Sequence, residues 1–214
     1  MRIEESQVLK TQPATPGRDG HGLRIRGSTV QVSKTVIREN GASGLAALDE
    51  TNTPSSVTVE ESRIEQNVIA GLFVSDRSKL EVRRSRIANN QPFQGEFGDG
   101  VSAEGMAELV LEGNTIEGHR LAGQFGVLLL FFVRATLTSN EIRNNGWGVA
   151  VGNPGISFEK MRVAFFNNRF ASNNQCGLWI DEDPQIVISG SGNLFAERPG
   201  RAICGATSKV PSGF

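Results

Sequence analysis

The sequence predicts an all-β solenoid in which about seven coils, each with three short strands, stack on one another. Two observations predict it. A six-residue phrase recurs along the 214-residue chain, and each repeat holds two further segments that alternate apolar and polar residues with a period of two. No helical period appears between these segments.

The recurring phrase reads Ser/Thr/Asn-x-apolar-x-x-Asn, as in Asn140–Asn145. Its central apolar residues are Val8, Ile37, Ile64, Ile87, Ile116, Ile142, Phe170 and Phe195, the first belonging to a truncated copy. Successive central residues lie 23 to 29 positions apart. Because the phrase is constant while its spacing varies, each repeat is predicted to be one coil with a loop of variable length.

The other two segments also occur in a fixed order. One follows a glycine, as in Gly126-Val127-Leu128-Leu129, and the other is exemplified by Leu109-Val110-Leu111. Antiparallel neighbours would need hairpin turns and would not repeat one three-strand order, whereas a coil stacks each strand parallel to its copy one turn later. The order therefore favours parallel stacking.

Polar residues recur at matching positions. One column holds Asn40, Asn67, Asn90, His119, Asn145 and Asn173. A turn there needs a residue that tolerates left-handed backbone and can donate its side-chain amide to the next copy, so the column predicts an asparagine ladder. Charges alternate in neighbouring columns, as at Glu60, Arg83 and Glu112, which indicates structural ion pairs.

Charge and hydropathy exclude several classes. The net charge of −1 gives no electrostatic footprint for nucleic acid. The longest apolar run, Val127–Val133, is far shorter than the roughly 20 residues that a membrane span needs. Residues Met1–Glu5 lack the apolar stretch of a secretory signal peptide.

At the asparagine-containing phrases the sequence resembles the right-handed parallel β-helix repeat proteins of the pectin-lyase-like superfamily, particularly their carbohydrate-binding and sugar hydrolysis type of repeat. The resemblance covers about Ile3 to Arg198 and implies a right-handed single-stranded parallel β-helix. It also implies an extracytoplasmic protein, whether surface-bound, periplasmic or secreted. Of the catalytic boxes of polygalacturonase-like enzymes, only an isolated Gly20-His21-Gly22 occurs, so no catalytic residue is carried over.

The resemblance implies that the outward face of the glycine-preceded strand lines a sugar-binding groove. We expect Phe73, Leu128, Leu130, Trp179 and Asp181 there, as a face for a polysaccharide or protein partner. Trp147 and Trp179 could stack on sugar rings. Alternatively the loop 91–99, with Phe93 and Phe97, or the tail 209–214 covers this face.

Carboxylates give the competing interpretation. Asp76 and Glu104 are one coil apart and, with Asp99, could form a paired-carboxylate or Ca²⁺ site; solvated turns are the alternative. No other metal or cofactor is predicted. Glu104 and Asp181 are three coils apart, too far to cooperate. We therefore expect a non-catalytic interaction or glycan-binding scaffold, with a polysaccharide lyase or glycoside hydrolase as the alternative.

The repeat predicts how the chain is divided into a repeat domain and a tail. Residues 1–200 are predicted to form the β-helix repeat domain, as part of a longer helix, and 201–214 an incomplete coil and tail. Open coil ends predict self-association.

Aligning Gly177 with Gly205 would bring Cys176 and Cys204 close enough for a bridge, whereas aligning Gly177 with Ala202 would separate them. The second alignment is favoured, so free thiols are expected.

Overall fold

The structure, a computed structural model, describes residues 1–12, 20–92, 98–152 and 159–214. Its described strands form three parallel sheets of eight strands each, and successive strands of one sheet come from successive coils. The predicted fold class is therefore confirmed, with one short 3-10 helix at Thr207–Lys209 as the only helix among the described residues.

Each coil contributes its strands in the order sheet A, sheet B, sheet C. Sheet A consists of β1 (Arg2–Glu4), β4 (Thr29–Ser33), β7 (Ser56–Glu60), β10 (Lys79–Arg83), β13 (Glu108–Glu112), β16 (Arg134–Thr138), β19 (Met161–Phe166) and β22 (Ile186–Ser191). Sheet B consists of β2 (Gln7–Leu9), β5 (Val36–Arg38), β8 (Arg63–Glu65), β11 (Arg86–Ala88), β14 (Thr115–Glu117), β17 (Glu141–Arg143), β20 (Arg169–Ala171) and β23 (Leu194–Ala196). Sheet C consists of β3 (Leu23–Arg26), β6 (Leu45–Leu48), β9 (Ala70–Val74), β12 (Asp99–Ala103), β15 (Phe125–Leu130), β18 (Trp147–Gly152), β21 (Cys176–Ile180) and β24 (Ile203–Gly205).

The register follows the recurring phrase. Its central apolar residues pair in unbroken succession along sheet B, from Val8 opposite Ile37 to Phe170 opposite Phe195. Those from Ile37 to Phe170 are completely buried. Inward residues of sheets A and C meet them, so the core is one apolar column inside the coil.

The predicted asparagine ladder is confirmed. Asn67 Nδ2 donates to Asn90 Oδ1 over 3.3 Å, and Asn145 Nδ2 donates to Asn173 Oδ1 over 3.1 Å. The ladder ends at Glu197, whose Oε1 accepts from Asn173 Nδ2 over 2.7 Å. One detail of the prediction is wrong: the left-handed backbone belongs to the residue before the ladder position, for example Gln66, with φ of 57°. That turn aims the ladder side chain into the coil, where it reaches its neighbour.

A second ladder lies at the corner between sheets A and B. Asn114 Nδ2 donates to Asn140 Oδ1 over 3.0 Å, and Asn168 continues the row. In the earlier coils the hydroxyl groups of Ser62 and Ser85 take the place of the asparagine side chains, and each accepts from a backbone N–H of the preceding coil. Left-handed residues again precede the ladder positions. The signal for this ladder was the first position of the recurring phrase, which was interpreted only as the start of the repeat.

The alternating charges pair as predicted. Arg83 lies between Glu60 and Glu112, with contacts of 3.5 and 3.3 Å. On sheet B, Glu117 is bridged by Arg86 and Arg143 at 2.7 and 3.0 Å. Opposite charges stacked one coil apart support the register of the parallel strands.

The tail folds across the C-terminal end of the stack. The ring of Phe214 packs edge-on against Phe165, with centroids 5.6 Å apart, and also stacks on Phe195. Asn193 N donates to Phe214 O over 2.9 Å. The tail thus covers the rings of Phe165 and Phe195 in the last coils. The tail consequently does not cover the outward face of sheet C.

Cys176 and Cys204 form a disulfide with a Cα–Cα distance of 6.3 Å, so the expectation of free thiols is wrong. The favoured alignment itself is correct, since Leu178 pairs with Ile203 and Gly177 therefore faces Ala202. The backbone hydrogen bonding between β21 and β24 is irregular at Gly177. Two successive N–H groups, of Gly177 and Leu178, donate to two successive carbonyls. Spacing counted along a regular strand does not hold across such an irregularity.

Candidate binding groove on sheet C

The outward row of sheet C is continuous from the first coil to the last. Its members pair in succession as Arg24, Ala46, Phe73, Ser102, Leu128, Ala150 and Trp179. Although Ala46 and Ala150 point outward, they are buried, because each lies between larger side chains one coil away on either side. The row is therefore uneven, with large residues separated by small ones.

The C-terminal half of this row forms a groove of about 390 Å³, called here the sheet C groove. Its lining residues are Phe125, Leu128, Leu130, Trp147, Ala150, Gly152, Trp179 and Asp181. Four of the five residues predicted to bind a partner are brought together in it. The fifth, Phe73, lies outside because the coil of Ser102 separates it from Leu128.

Small residues make the floor of the groove. Gly152 pairs with Leu130, and the indole of Trp179 from the next coil leans over it. A β-carbon at position 152 would stand only 2.8 Å from Trp179 Cζ3. The lack of a side chain at Gly152 thus leaves room for the indole to pack close to the backbone of β18.

Phe125 and Trp147 make one wall. Their rings stack with centroids 6.2 Å apart and an angle of 29° between planes. The indole N–H of Trp147 donates to Ala122 O over 2.9 Å, which fixes the ring and satisfies its polar atom. Phe125 was missed by the sequence analysis because the strand was counted from Gly126, whereas the pairing with Trp147 begins one residue earlier.

One carboxylate, that of Asp181, lines the groove, and another, that of Glu104, lies just beyond its opposite end. Asp181 follows Ile180, and its N–H donates to Val151 O over 2.9 Å, which sets it beside Gly152. Glu104 follows Ala103, the partner of Leu129, so it lies one coil before Leu130. The two carboxylates are three coils, or about 14 Å, apart. They can act on two ends of a bound ligand but not on one bond.

The predicted grouping of three carboxylates is not formed. Asp76 is close enough to Glu104 that, together with burial as the main cause, its negative charge raises the pKa of Glu104. Asp99 instead begins β12, five residues before Glu104 and about 16 Å away along an extended strand. Asp99 and Glu104 therefore lie at opposite ends of β12.

Asp99 has a structural role. Its Oδ1 accepts from Phe125 N over 2.9 Å and its Oδ2 from Ser102 Oγ over 3.0 Å. Burial raises the pKa of this carboxyl to about 6. Asp99 therefore holds the start of β15, including the groove residue Phe125, in place.

In the part of the chain that the structure describes, no three carboxylate, imidazole or thiol groups lie close enough together to hold a metal ion. Phe93 and Phe97, expected as a possible cover for the outward face, fall outside the described residues. Among the helices of the described segments, none is both long and apolar enough to cross a bilayer.

Comparison with known protein families shows to which family the chain belongs. The family described as "right handed beta helix region" matches residues 3–130 and again residues 81–209, so the two overlapping matches span nearly the whole chain. No curated protein matches the sequence.

Proposed function

Since the chain belongs to the family of right-handed β-helix regions, we propose that it is a non-catalytic binding domain whose sheet C groove holds sugar rings of a polysaccharide. The observation that carries the proposal is the stacking of aromatic and aliphatic side chains around one small concave surface. Groove residues on successive coils repeat along the axis, as sugar units repeat along a polysaccharide.

The size of the groove favours a narrow ligand. About 390 Å³ falls within the usual range for small-molecule sites, roughly 300 to 1,000 Å³. A stable protein interface generally covers about 800 Å² on each partner, much more than these eight residues present. A chain of sugar rings is thin enough to lie in the groove.

The chemistry of the groove also suits a sugar. The rigid faces of Trp147, Trp179 and Phe125 offer apolar surface to the C–H faces of a pyranose ring. The carboxylates of Asp181 and Glu104, at opposite ends, can accept hydrogen bonds from sugar hydroxyl groups. Ligand sites typically combine such an apolar lining with a few polar groups that fix orientation.

An extracytoplasmic location is part of the proposal. The disulfide between Cys176 and Cys204 supports it, because disulfides persist in oxidising compartments and are rare in the cytosol.

The proposal is tested by titrating the chain with a panel of neutral and acidic polysaccharides and following tryptophan fluorescence and heat. We expect saturable binding that weakens at least tenfold in both Trp147→Ala and Trp179→Ala. Phe166→Ala, at a partly exposed aromatic residue of sheet A, is the matched control and should bind as the wild type does. Binding that neither tryptophan variant affects, or no binding to any polysaccharide, would contradict the proposal.

A carbohydrate-active lyase or hydrolase is the second candidate, and the raised pKa of Glu104 beside Asp76 favours it, since a general acid needs a raised pKa. The same panel, incubated with and without Ca²⁺, is assayed for unsaturated and reducing sugar. Turnover that Asp76→Ala or Glu104→Ala abolishes would make the protein an enzyme and overturn the non-catalytic proposal.

A further inference from the structure

A second concave surface lies at the corner between sheets B and C on the last coils. It has a volume of about 660 Å³ and is called here the arginine cavity. Its lining includes Arg120, Asn174, Gln175, Glu197, Arg198 and Arg201. We propose that the arginine cavity binds a phosphate or sulfate group.

Hydrogen bonds from successive coils hold the walls of the cavity. The backbone N–H groups of Asn174 and Gln175 donate to Asn145 O and Gly146 O of the preceding coil, both over 2.8 Å. Asn174 Nδ2 donates to Arg120 O over 3.3 Å, and Arg201 Nη1 donates to Asn174 O. Asn174 thus anchors the backbone of Arg120 and holds the guanidinium of Arg201 through one of its nitrogen atoms.

The cavity carries an excess of positive charge. Across the described segments, Arg120, Arg198 and Arg201 form no ion pair with a carboxylate, in contrast to the bridged arginines Arg86 and Arg143 of sheet B. Glu197 is the one carboxylate among the lining residues. Three arginines against one glutamate leave a net charge of +2 around the cavity.

The carboxylate of Glu197 already accepts two hydrogen bonds from Asn173. Its Oε2 accepts from Asn173 N over 2.9 Å and its Oε1 from Asn173 Nδ2 over 2.7 Å, because it ends the asparagine ladder. These bonds aim the carboxylate at the ladder. The guanidinium groups of Arg120 and Arg198, and the remaining N–H donors of Arg201, are therefore available to a ligand from solvent.

The charge and donor set favour a tetrahedral oxyanion over a carboxylate. Each guanidinium presents a planar fork of N–H donors that matches two oxygen atoms of a phosphate, and such charge-assisted bonds are the strong ones. A phosphate monoester carries about −1.5 to −2 charges and three terminal oxygens, so it can engage several guanidinium groups at once. A carboxylate offers a single charge and two oxygens, which leaves part of the cavity unmatched.

The test is a calorimetric and NMR titration of the full chain with inorganic phosphate, inorganic sulfate, glucose 6-phosphate and acetate. We expect phosphate or sulfate to bind saturably and acetate at least tenfold more weakly. Comparing inorganic phosphate with glucose 6-phosphate distinguishes a site for the free ion from a site for an ester. Affinity should fall steeply with added NaCl.

Two variants locate the site. Arg198→Gln and Arg201→Gln should each weaken phosphate binding about tenfold or more, as expected for the loss of a charged hydrogen-bond donor. Arg162→Gln, at an exposed arginine of sheet A that also has no carboxylate partner in the described segments, is the matched control. Trp179→Ala should leave phosphate binding unchanged, which separates this inference from the sugar-binding proposal.

The inference is overturned if neither phosphate nor sulfate binds saturably, if acetate binds as tightly as they do, or if Arg162→Gln weakens binding as much as Arg198→Gln does.

Discussion

The indole ring of Trp179 covers Gly152 on the preceding coil, at a distance that leaves no room for a β-carbon at position 152. This contact joins two coils through a residue that has no side chain, and it sets the depth of the sheet C groove. The clashing atom would be at the far end of a side chain, so the indole can move while the strands stay in register.

We therefore expect Gly152→Ala to fold and to push the indole of Trp179 toward solvent. In a Trp147→Phe background the chain has one tryptophan, so its emission reports on Trp179 alone. The emission maximum should shift to longer wavelength, and polysaccharide binding should weaken several-fold. Gly123→Ala, at a glycine with open space around it, should change neither; an unshifted emission in Gly152→Ala would contradict the geometry.

A second prediction concerns His119, which replaces asparagine in the ladder. Its Nε2 lies 3.0 Å from Asn90 Nδ2 and its Nδ1 lies 3.0 Å from Asn145 Oδ1. A neutral ring protonated on Nδ1 satisfies both neighbours, whereas a charged ring would point one N–H at another donor. Burial, the main cause, lowers the pKa of His119 to about 4.

Because the folded-state pKa of His119 is below its ordinary value, the unfolded chain binds the proton more readily. The stability that neutral His119 contributes is complete above pH 6.5 and is lost as the pH falls toward 4, up to roughly 3 kcal/mol. Chemical unfolding at pH 7.5 and pH 4.5 should show a larger loss for the wild type than for His119→Asn. Equal losses in both proteins would show that His119 does not titrate in this way.

Asp99 should have the opposite pH dependence. Its pKa is raised to about 6, so the folded state holds the proton more tightly than the unfolded chain. The stability that its neutral form contributes is complete below about pH 3.8 and is lost as the pH rises through 6.

Asp99→Asn should therefore raise the free energy of unfolding at pH 8 by about 1 to 3 kcal/mol. The amide can still accept from Phe125 N and can donate to Ser102 Oγ, so both hydrogen bonds survive. At pH 4 the two proteins should be nearly equal. A variant that is less stable than the wild type at pH 8 would mean that the charged carboxylate is required.

A fourth prediction concerns the disulfide, which joins positions separated by 28 residues and ties the last strand of sheet C to the coil before it. Reduction should lower the free energy of unfolding by about 2 to 4 kcal/mol. A Cys176→Ala/Cys204→Ala double variant should have a melting temperature that reductant does not change. Two reactive thiols in the unreduced, unfolded wild type would contradict the bridge.

The sequence was informative where the same residue recurs on successive coils. The column from Val8 to Phe195 predicted the register of sheet B, and the alternating charges at Glu60, Arg83 and Glu112 predicted that of sheet A. Such columns are visible in a sequence because each coil repeats the environment of the one before.

Features that depend on departures from the repeat could not be predicted. Asp99 follows a loop whose path sequence spacing does not describe, so its distance from Glu104 was misjudged. The disulfide joins two strands whose backbone hydrogen bonding is irregular at Gly177. The arginine cavity joins residues from turns of different coils, such as Arg120 and Arg198, and its three arginines come from non-successive coils and from the segment before the last strand.

The asparagine ladder also has a direction. Each ladder asparagine donates one amide hydrogen to the ladder side chain of the following coil and the other to a backbone carbonyl of the preceding coil, while its Oδ1 accepts from the preceding ladder residue, as Asn145 does between His119 and Asn173. Glu197 accepts from Asn173, but an ionised carboxylate has no hydrogen to pass on. For protein engineering, a duplicated coil inserted between His119 and Asn145 would find a donor before it and an acceptor after it. One stacked beyond Glu197 would begin without a donor, so this scaffold is best lengthened from within.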